Sequence, residues 1–599
     1  MREYSTPLTT ELPSTGNLTD DVVGRAHAAP ESVAFSVARD GGWQDVTAAQ
    51  FLDQVRGVAK GLMAAGVEAG ERVALISRTR YEWTLLDYAI WFAGAVTVPV
   101  YETSSVEQVA WILEDSGAVA VVTETAAHAD RVDQARDGAG WSEQVHDLWT
   151  LDKGAVDALV RRGESVPDAD LESRRTTAGP GDAATLIYTS GTTGRPKGCV
   201  LSHGNFQFEL GVALDGLPEL FEGDDAATLL FLPLAHVFAR VIQVGCVRAG
   251  VRLGHTAGIT SLVDDLGAFQ PTFVLAVPRV FEKVFNTASQ RAVVDGRGGV
   301  FDRAARTAIA YSQSLDRGRT SPVLRARHLL FDRLVYARLR AALGGRCRFA
   351  VSGGAPLGER LGHFFRGVGI TVLEGYGLTE TTAAISVNRP AAQRIGTVGQ
   401  PLGGTTIRVA DDGELLVRGG QVMSRYWHDE DATREVTTAE GWLRTGDLGE
   451  IDDEGFVRVT GRKKEILVTA GGKNVAPAPL EDRVRAHHLV SQCMVVGDGR
   501  PFIAALVTLD PDAVRTWAGH RGKPTSPAAL VDDPDLLAEV QQAVDEANEL
   551  VSQAESIRKF RVLATDWTEE EGHLTPSLKL RRTHVSRLVR DEIDRLYPA

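Results

Sequence analysis

Alternation of element type constrains this chain more than anything else in it. Thr47 can cap a helix whose apolar positions are Phe51, Val55, Val58, Leu62 and Met63, and Gly66 stops it. The run RVALIS (72–77) then reads as a buried strand, an apolar helix follows, and AVVTET (120–125) reads as the next strand. Strands alternating with helices predict parallel sheets sandwiched by helices. Further strands are expected at TLLFLPL (228–234), RFAVSGG (348–354) and ITVLEGYG (370–377). Each ends in Gly, Pro or polar residues, and ligands gather at strand carboxyl ends in open α/β sheets.

From about residue 404 the texture changes. TTIRVAD, GELLVRG and EGFVRVTGR are short strands punctuated by turns, which predicts a small β-barrel-like unit. Four consecutive charges within GRKKE (461–465) break that pattern. Beyond it, QCMVV and FIAALVTL read as strand–turn–strand, and 535–560 as one amphipathic helix. The fold class expected is α/β, with a large N-terminal domain over 1–461, a hinge at 462–464 and a small, mobile α+β C-terminal domain over 465–599. The stretch 282–345 is Arg-rich and helical, with a Gly break at DGRGG.

Bulk properties narrow the function. A net charge of −15 argues against a nucleic-acid partner, which needs a basic face for phosphates. Four cysteines, Cys199, Cys246, Cys347 and Cys493, lack metal or redox spacing, which suits a reducing cytoplasm. The first twenty residues have no apolar core and are not expected to be a signal peptide. The longest largely apolar run, Tyr88 to Tyr101, has 14 residues, and a spanning helix needs ~20.

The segment YTSGTTGRPKG (188–198) is neither a buried strand nor an amphipathic helix. Its glycines let backbone N–H groups turn toward an anion, its hydroxyls add donors, and Lys197 adds a point charge. Phosphate is the natural guest. The pattern is not the nucleotide loop G-x-x-x-x-G-K-[ST], because Lys197 follows Pro196 and Gly198 takes the hydroxyl position.

This string resembles the phosphate loop of the adenylate-forming superfamily, which includes acyl-CoA synthetases, luciferases and peptide-synthetase adenylation domains. Companion motifs follow in order: LPLAHVF (232–238), SGGAPL (352–357), EGYGLTET (374–381), RTGDLG (444–449), GRKKEILVTAGGKNVAP (461–477) and LTPSLKLRR (574–582). The resemblance spans nearly the whole chain. AVPRVFEKV (276–284), the basic helical stretch after it and the LTP-x-x-K ending resemble long-chain fatty acyl-CoA synthetases in particular.

The resemblance implies a two-step reaction. A fatty carboxylate attacks the α-phosphate of ATP to give acyl-AMP and pyrophosphate, and the thiol of coenzyme A then displaces AMP. Carried over by motif, Thr189, Ser190, Gly191, Thr192, Thr193, Gly194 and Lys197 would cradle the β- and γ-phosphates. Glu380 would ligate Mg²⁺, with Thr379 and Gly377 beside the phosphates. Tyr376 would stack on adenine against Gly353, Gly354 and Ala355. Asp447 would accept the ribose hydroxyls with help from Arg462. His236 would stand beside the incoming carboxylate, Lys464 at the hinge, and Gly471 along the thiol channel. Lys579 would bridge carboxylate and α-phosphate. Taken singly, most have plainer readings: His236 as a core residue, Asp447 as a turn residue, RKKE as a solvated charge run. Their joint order favours the family.

Two alternatives stay open at this point. One is a fatty acyl-AMP ligase that loads a carrier protein, and the other is a non-catalytic nucleotide- or lipid-binding relative. The arginines of 282–345 read either as a solvated face or as a surface for anionic lipid, so the cytoplasmic expectation extends to peripheral membrane contact.

Overall fold

The computed structural model describes residues 1–39, 42–189, 195–258, 261–569, 571–575 and 579–597. Among the described residues, two large mixed sheets carry the N-terminal part. One has seven strands. Its parallel centre comprises Ala183–Thr189, Val96–Val100, Arg72–Ile76, Ala118–Thr123 and Asp147–Thr150. The other has nine, with Val33–Arg39, Arg252–His255, Ala227–Leu230, Phe273–Ala276, Phe349–Ser352 and Thr371–Leu378 running parallel in the middle. Helices cover both, and Val96–Val100 is buried along its length, as expected where both sheet faces are covered.

The expected helix start holds. Thr47 and Gln50 form a reciprocal capping box for Ala48–Ala64, which buries Phe51, Val55, Val58 and Leu62. One more expectation holds and one is corrected. The strand expected at 370–377 is Thr371–Leu378, and from Gly375 onward it pairs antiparallel with Ala383–Val387. The helix expected over 535–560 stops at Asn548, and Ile557–Val562 is a strand beside Ile503–Leu509. Asn548 ends it locally: its amide donates to Ile557 O and its carbonyl oxygen accepts from Ile557 N–H.

The β-rich unit is a five-stranded antiparallel sheet. Its edge strand, Glu3–Ser5, comes from the other end of the sequence. Residues from Leu467 on build a separate core around Leu480, Val495, Val507 and Val540. The four cysteines are buried and unpaired.

One polar cluster ties a cleft-bearing helix to the seven-stranded sheet. Asp87 and Arg240 are both 0 % exposed and form a bidentate pair. Thr97 and Gln243 also donate to Asp87, and Arg240 Nη1 donates to Thr185 Oγ1 at 2.5 Å. Trp83, Trp91 and Phe206 face the guanidinium. Arg240 lies on Val237–Ala249, the helix that His236 caps. Removing one partner of such a pair strands a charge in the core. Arg240→Met should therefore destabilise by about 3–5 kcal/mol, read from urea unfolding, and Asp87→Leu with Arg240→Met should cost less than the two singles combined.

Candidate active site

The main cleft holds about 3050 Å³ and is lined by residues from Tyr101 to Arg587. A small-ligand site is ~300–1,000 Å³, so this one has room for several large groups at once.

The strands on either side of the hydroxylated segment pair with each other. Lys197 is the first residue of Lys197–Ser202, which pairs antiparallel with Ala183–Thr189, so Thr189 and Lys197 face each other. Ser190, Gly191, Thr192, Thr193 and Gly194 lie outside the described residues. The Lys197 ammonium is 4.0 Å from Asp429 and 5.4 Å from the Tyr426 ring centre. Both Thr189 and Lys197 line the cleft.

Glu380 sits in the short turn Thr379–Thr381 directly after the switched strand. Tyr426 donates to its Oε1 at 2.7 Å, and its backbone carbonyl accepts Met423 N–H. Oε2 has no hydrogen bond among the described residues, where no group of three or more His, Cys, Asp or Glu side chains gathers as a metal site. One free carboxylate oxygen suits a magnesium ion whose other ligands are phosphate oxygens and water.

Asp447 is 3 % exposed. Tyr376 Oη donates to its Oδ2 at 2.7 Å and Arg462 Nε to its Oδ1 at 3.0 Å. Burial and the neighbouring carboxylate push the Tyr376 phenol well above its ordinary range, so it stays a donor. Although burial opposes it, Asp447 and Glu465 hold the Arg462 guanidinium above its usual value. The loop Gly353–Ala355 lines the opposite wall, with Gly354 at φ +84°. Sequence reasoning missed its support: buried Glu374 accepts Leu357 N–H at 2.9 Å, and burial raises that carboxyl to about 7.

Lys579 stands beside a β-bridge. Leu574 and Leu580 form a bridge, Thr575 N–H donates to Lys579 O, and Lys579 N–H donates to Thr575 Oγ1. A methyl on Gly354 would lie 3.9 Å from Lys579 Cε. Lys579 lines the cleft. Burial, then Arg462, lowers its pKa, while Asp447, Glu465 and Glu380 pull the other way. His236 feels the same ammonium: burial first, then Lys579, pushes its ring down to about 4, so it is neutral at pH 7. Its Nδ1 accepts Phe238 N–H at 3.2 Å, which leaves the ring proton on Nε2.

The structure thus gathers Thr189, Lys197, His236, Gly353, Gly354, Ala355, Tyr376, Gly377, Thr379, Glu380, Asp447, Arg462, Lys464 and Lys579 on one cleft. Gly471 is not among its walls; it lies in the turn between Leu467–Val468 and Asn474–Val475. The lining also includes apolar residues, among them Ala213, Leu217, Leu220, Phe221, Val241 and Ile242. Tyr426 carried no signal in the sequence, because its role depends on a contact across 46 residues.

A family model described as AMP-binding enzyme matches residues 24–427, and one described as AMP-binding enzyme C-terminal domain matches 464–599. The long-chain fatty acid–CoA ligase FadD15 of Mycobacterium tuberculosis is 50% identical over 599 residues, covering all of both chains. The long-chain fatty acid–CoA ligase ACSBG2 of Xenopus laevis is 29% identical over 94% of this chain and 81% of its own. In fold, the chain is similar to the anthranilate CoA ligase AuaEII with anthranoyl-AMP: TM-score 0.74, 19% identity, 97% and 99% of the two chains covered. The chain belongs to the AMP-binding enzyme family.

Proposed function

We propose that the chain activates long-chain fatty acids with ATP and transfers the acyl group to coenzyme A. What carries this reading is the convergence of Lys579, Asp447, Arg462, Glu380 and neutral His236 on one cleft whose wall continues into apolar surface. A plain nucleotide site would not need that apolar continuation.

The groups divide the work. Asp447 has carboxylate oxygens for the ribose hydroxyls, and Tyr376 with the Gly353–Ala355 loop offers two walls for adenine. Lys197 and Thr379 would face the phosphates. Glu380 would hold the magnesium ion, which screens phosphate charge. His236, with its proton on Nε2, can donate to the fatty carboxylate without repelling Lys579. One carboxylate oxygen then attacks the α-phosphorus, and its bond to the pyrophosphate oxygen breaks. Lys579 neutralises charge that builds on the phosphoryl oxygens at that moment, which is where a fixed cation lowers a barrier most. In the second step the sulfur of coenzyme A bonds to the acyl carbon, its proton departs and AMP leaves.

Residues 1–461 and 465–599 act as two domains on this reading, with 462–464 between them. Lys463 is anchored to Asp412 and Glu414, so Lys464 is the first residue free to turn. Gly471 reaches the thiol path only after such a turn.

A peripheral lipid surface is part of the same proposal. Among the described residues no helix is long and apolar enough to cross a membrane. The helix Pro322–Phe331 buries none of its residues, and Val323, Leu329, Leu330 and Leu334 are 51–67% exposed. Arg325, Arg327, Arg333 and Arg338 surround them with one acid, Asp332. Exposed leucines ringed by arginines on an acidic chain match an anionic bilayer.

Two outcomes follow. Lys579→Ala should cut pyrophosphate release by about 10²–10³-fold and leave coenzyme A transfer from supplied acyl-AMP nearly intact; equal loss in both assays would refute its role. Leu329→Ser with Leu330→Ser should weaken co-sedimentation with phosphatidylglycerol vesicles about tenfold without changing turnover on a soluble short-chain acid; unaltered sedimentation would remove the lipid surface.

A further inference from the structure

The motif AVPRVFEKV (276–284) takes no part in the reaction described above, yet its arginine joins two parts of the molecule. Arg279 stands in the first turn of the helix Pro278–Val294. Its Nη1 donates to Glu282 Oε2 at 3.3 Å on the same helix, and its Nη2 donates to Ser491 Oγ at 3.3 Å, beyond the proposed hinge. Asp510 Oδ2 stands 4.0 Å from the Arg279 guanidinium. Ser491 in turn donates to Asp566 Oδ2 at 2.6 Å, so one hydroxyl ties Arg279 into the hydrogen bonds of the small unit. A second arginine follows the same course. Arg360, on the helix Glu359–Val368, lays its guanidinium 4.7 Å from the ring centre of Phe285 on the first helix, and its Nη2 donates to Ala486 O at 3.2 Å.

The small unit is therefore tied to the large one at two places. One is the hinge, where Lys463 is fixed to Asp412 and Glu414. The other is the seam made by Arg279 and Arg360. A turn about Lys464 spares the first tie and must part the second. The Arg279 and Asp510 side chains are 26% and 34% exposed, and partly solvated ion pairs are individually weak. Such a seam can bias an equilibrium between two arrangements and still break in every cycle. Lys579 belongs to the same small unit as Ala486 and Ser491, and it lines the cleft while the seam is closed. We propose that Arg279 and Arg360 are positioning residues that hold Lys579 at the cleft for acyl-AMP formation, and that parting their seam sets how readily the protein passes on to coenzyme A transfer. This rests on the reading of the cleft as a fatty-acid-activating site with a hinge at 462–464.

The test measures the two half-reactions separately in wild type, in Arg279→Gln with Arg360→Met, and in Ser491→Ala. Pyrophosphate release should fall about tenfold in the double variant, the effect of losing hydrogen bonds from a charged donor. Transfer from supplied acyl-AMP to coenzyme A should keep its rate or gain. Ser491→Ala, which removes the acceptor instead of the arginine, should lower pyrophosphate release in the same direction and add nothing to Arg279→Gln. Equal loss in both half-reactions, the mark of a merely structural brace, overturns the inference. So does unaltered pyrophosphate release, and so does full additivity of Ser491→Ala with Arg279→Gln. Trypsin nicking at Arg462, Lys463 or Lys464 in the ligand-free protein reads the seam without turnover, and it should be several-fold faster in the double variant. Absent pyrophosphate release in wild type therefore sinks the activation reading, while unchanged nicking sinks the role of the seam.

Discussion

Everything in the cleft is referenced to one buried carboxylate. Asp447 is held by Tyr376 from the nine-stranded sheet and by Arg462 from the end of the antiparallel unit. A carboxylate out of water is costly unless hydrogen bonds and opposite charge compensate it, so the three segments must meet for any of them to settle. Asp447 and Arg462 are also register partners in neighbouring strands, so the sheet itself delivers the cation to the anion. One residue further, Lys463 is fixed to Asp412 and Glu414. The root of the C-terminal unit is thereby anchored beside Asp447 and Arg462, and only then does the chain reach Lys464 and, much later, Lys579.

The second constraint is a change of strand direction. Up to Glu374 the strand Thr371–Leu378 pairs parallel with Phe349–Ser352; from Gly375 it pairs antiparallel with Ala383–Val387. The parallel neighbour ends at Ser352, which opens a crevice where α/β sheets bind ligands. Gly377 is needed there, since a Cβ would sit 1.4 Å from Ala383 O. Thr382 and Ala383 both take left-handed φ, +50° and +89°, a strain that clusters at functional turns. Thr381 Oγ1 and the Glu209 carboxylate brace this turn. The turn in turn aims Thr379 and Glu380 into the cleft.

Much of this was legible in order along the chain, and what was legible was local. The capping box at Thr47 and the apolar strands depend on neighbours a few residues away, so period and cap residues announce them. The candidate residues were legible because family motifs mark them in sequence. What stayed hidden depends on distant partners. Glu3–Ser5 becomes a strand only because Thr406–Val409 offers an edge. RKFRV looks like a helix continuing from 535 until Ile503–Leu509 captures it as a strand. Glu374, Tyr426 and Glu209 have no motif of their own; each matters through one hydrogen bond, to Leu357, Glu380 and Ala384 respectively.

An acidic protein can still bind a polyanion, because local field and not net charge decides the encounter at a cleft. The chain carries −15 overall, yet Lys579 and Arg462 share one end of the cleft and repel each other there. His236 avoids adding a third cation by staying neutral. The lowered pKa of Lys579 means that its charged form is disfavoured where it stands, chiefly by desolvation. A bound anion reverses that sign, since opposite charge nearby favours the ammonium. On the proposed reading, phosphate and a charged Lys579 stabilise each other in the same place, and by reciprocity the nucleotide would favour the arrangement that brings Lys579 onto it. On that reading, the lysine's discomfort in the free cleft would be the source of its selectivity for the moment when negative charge is present.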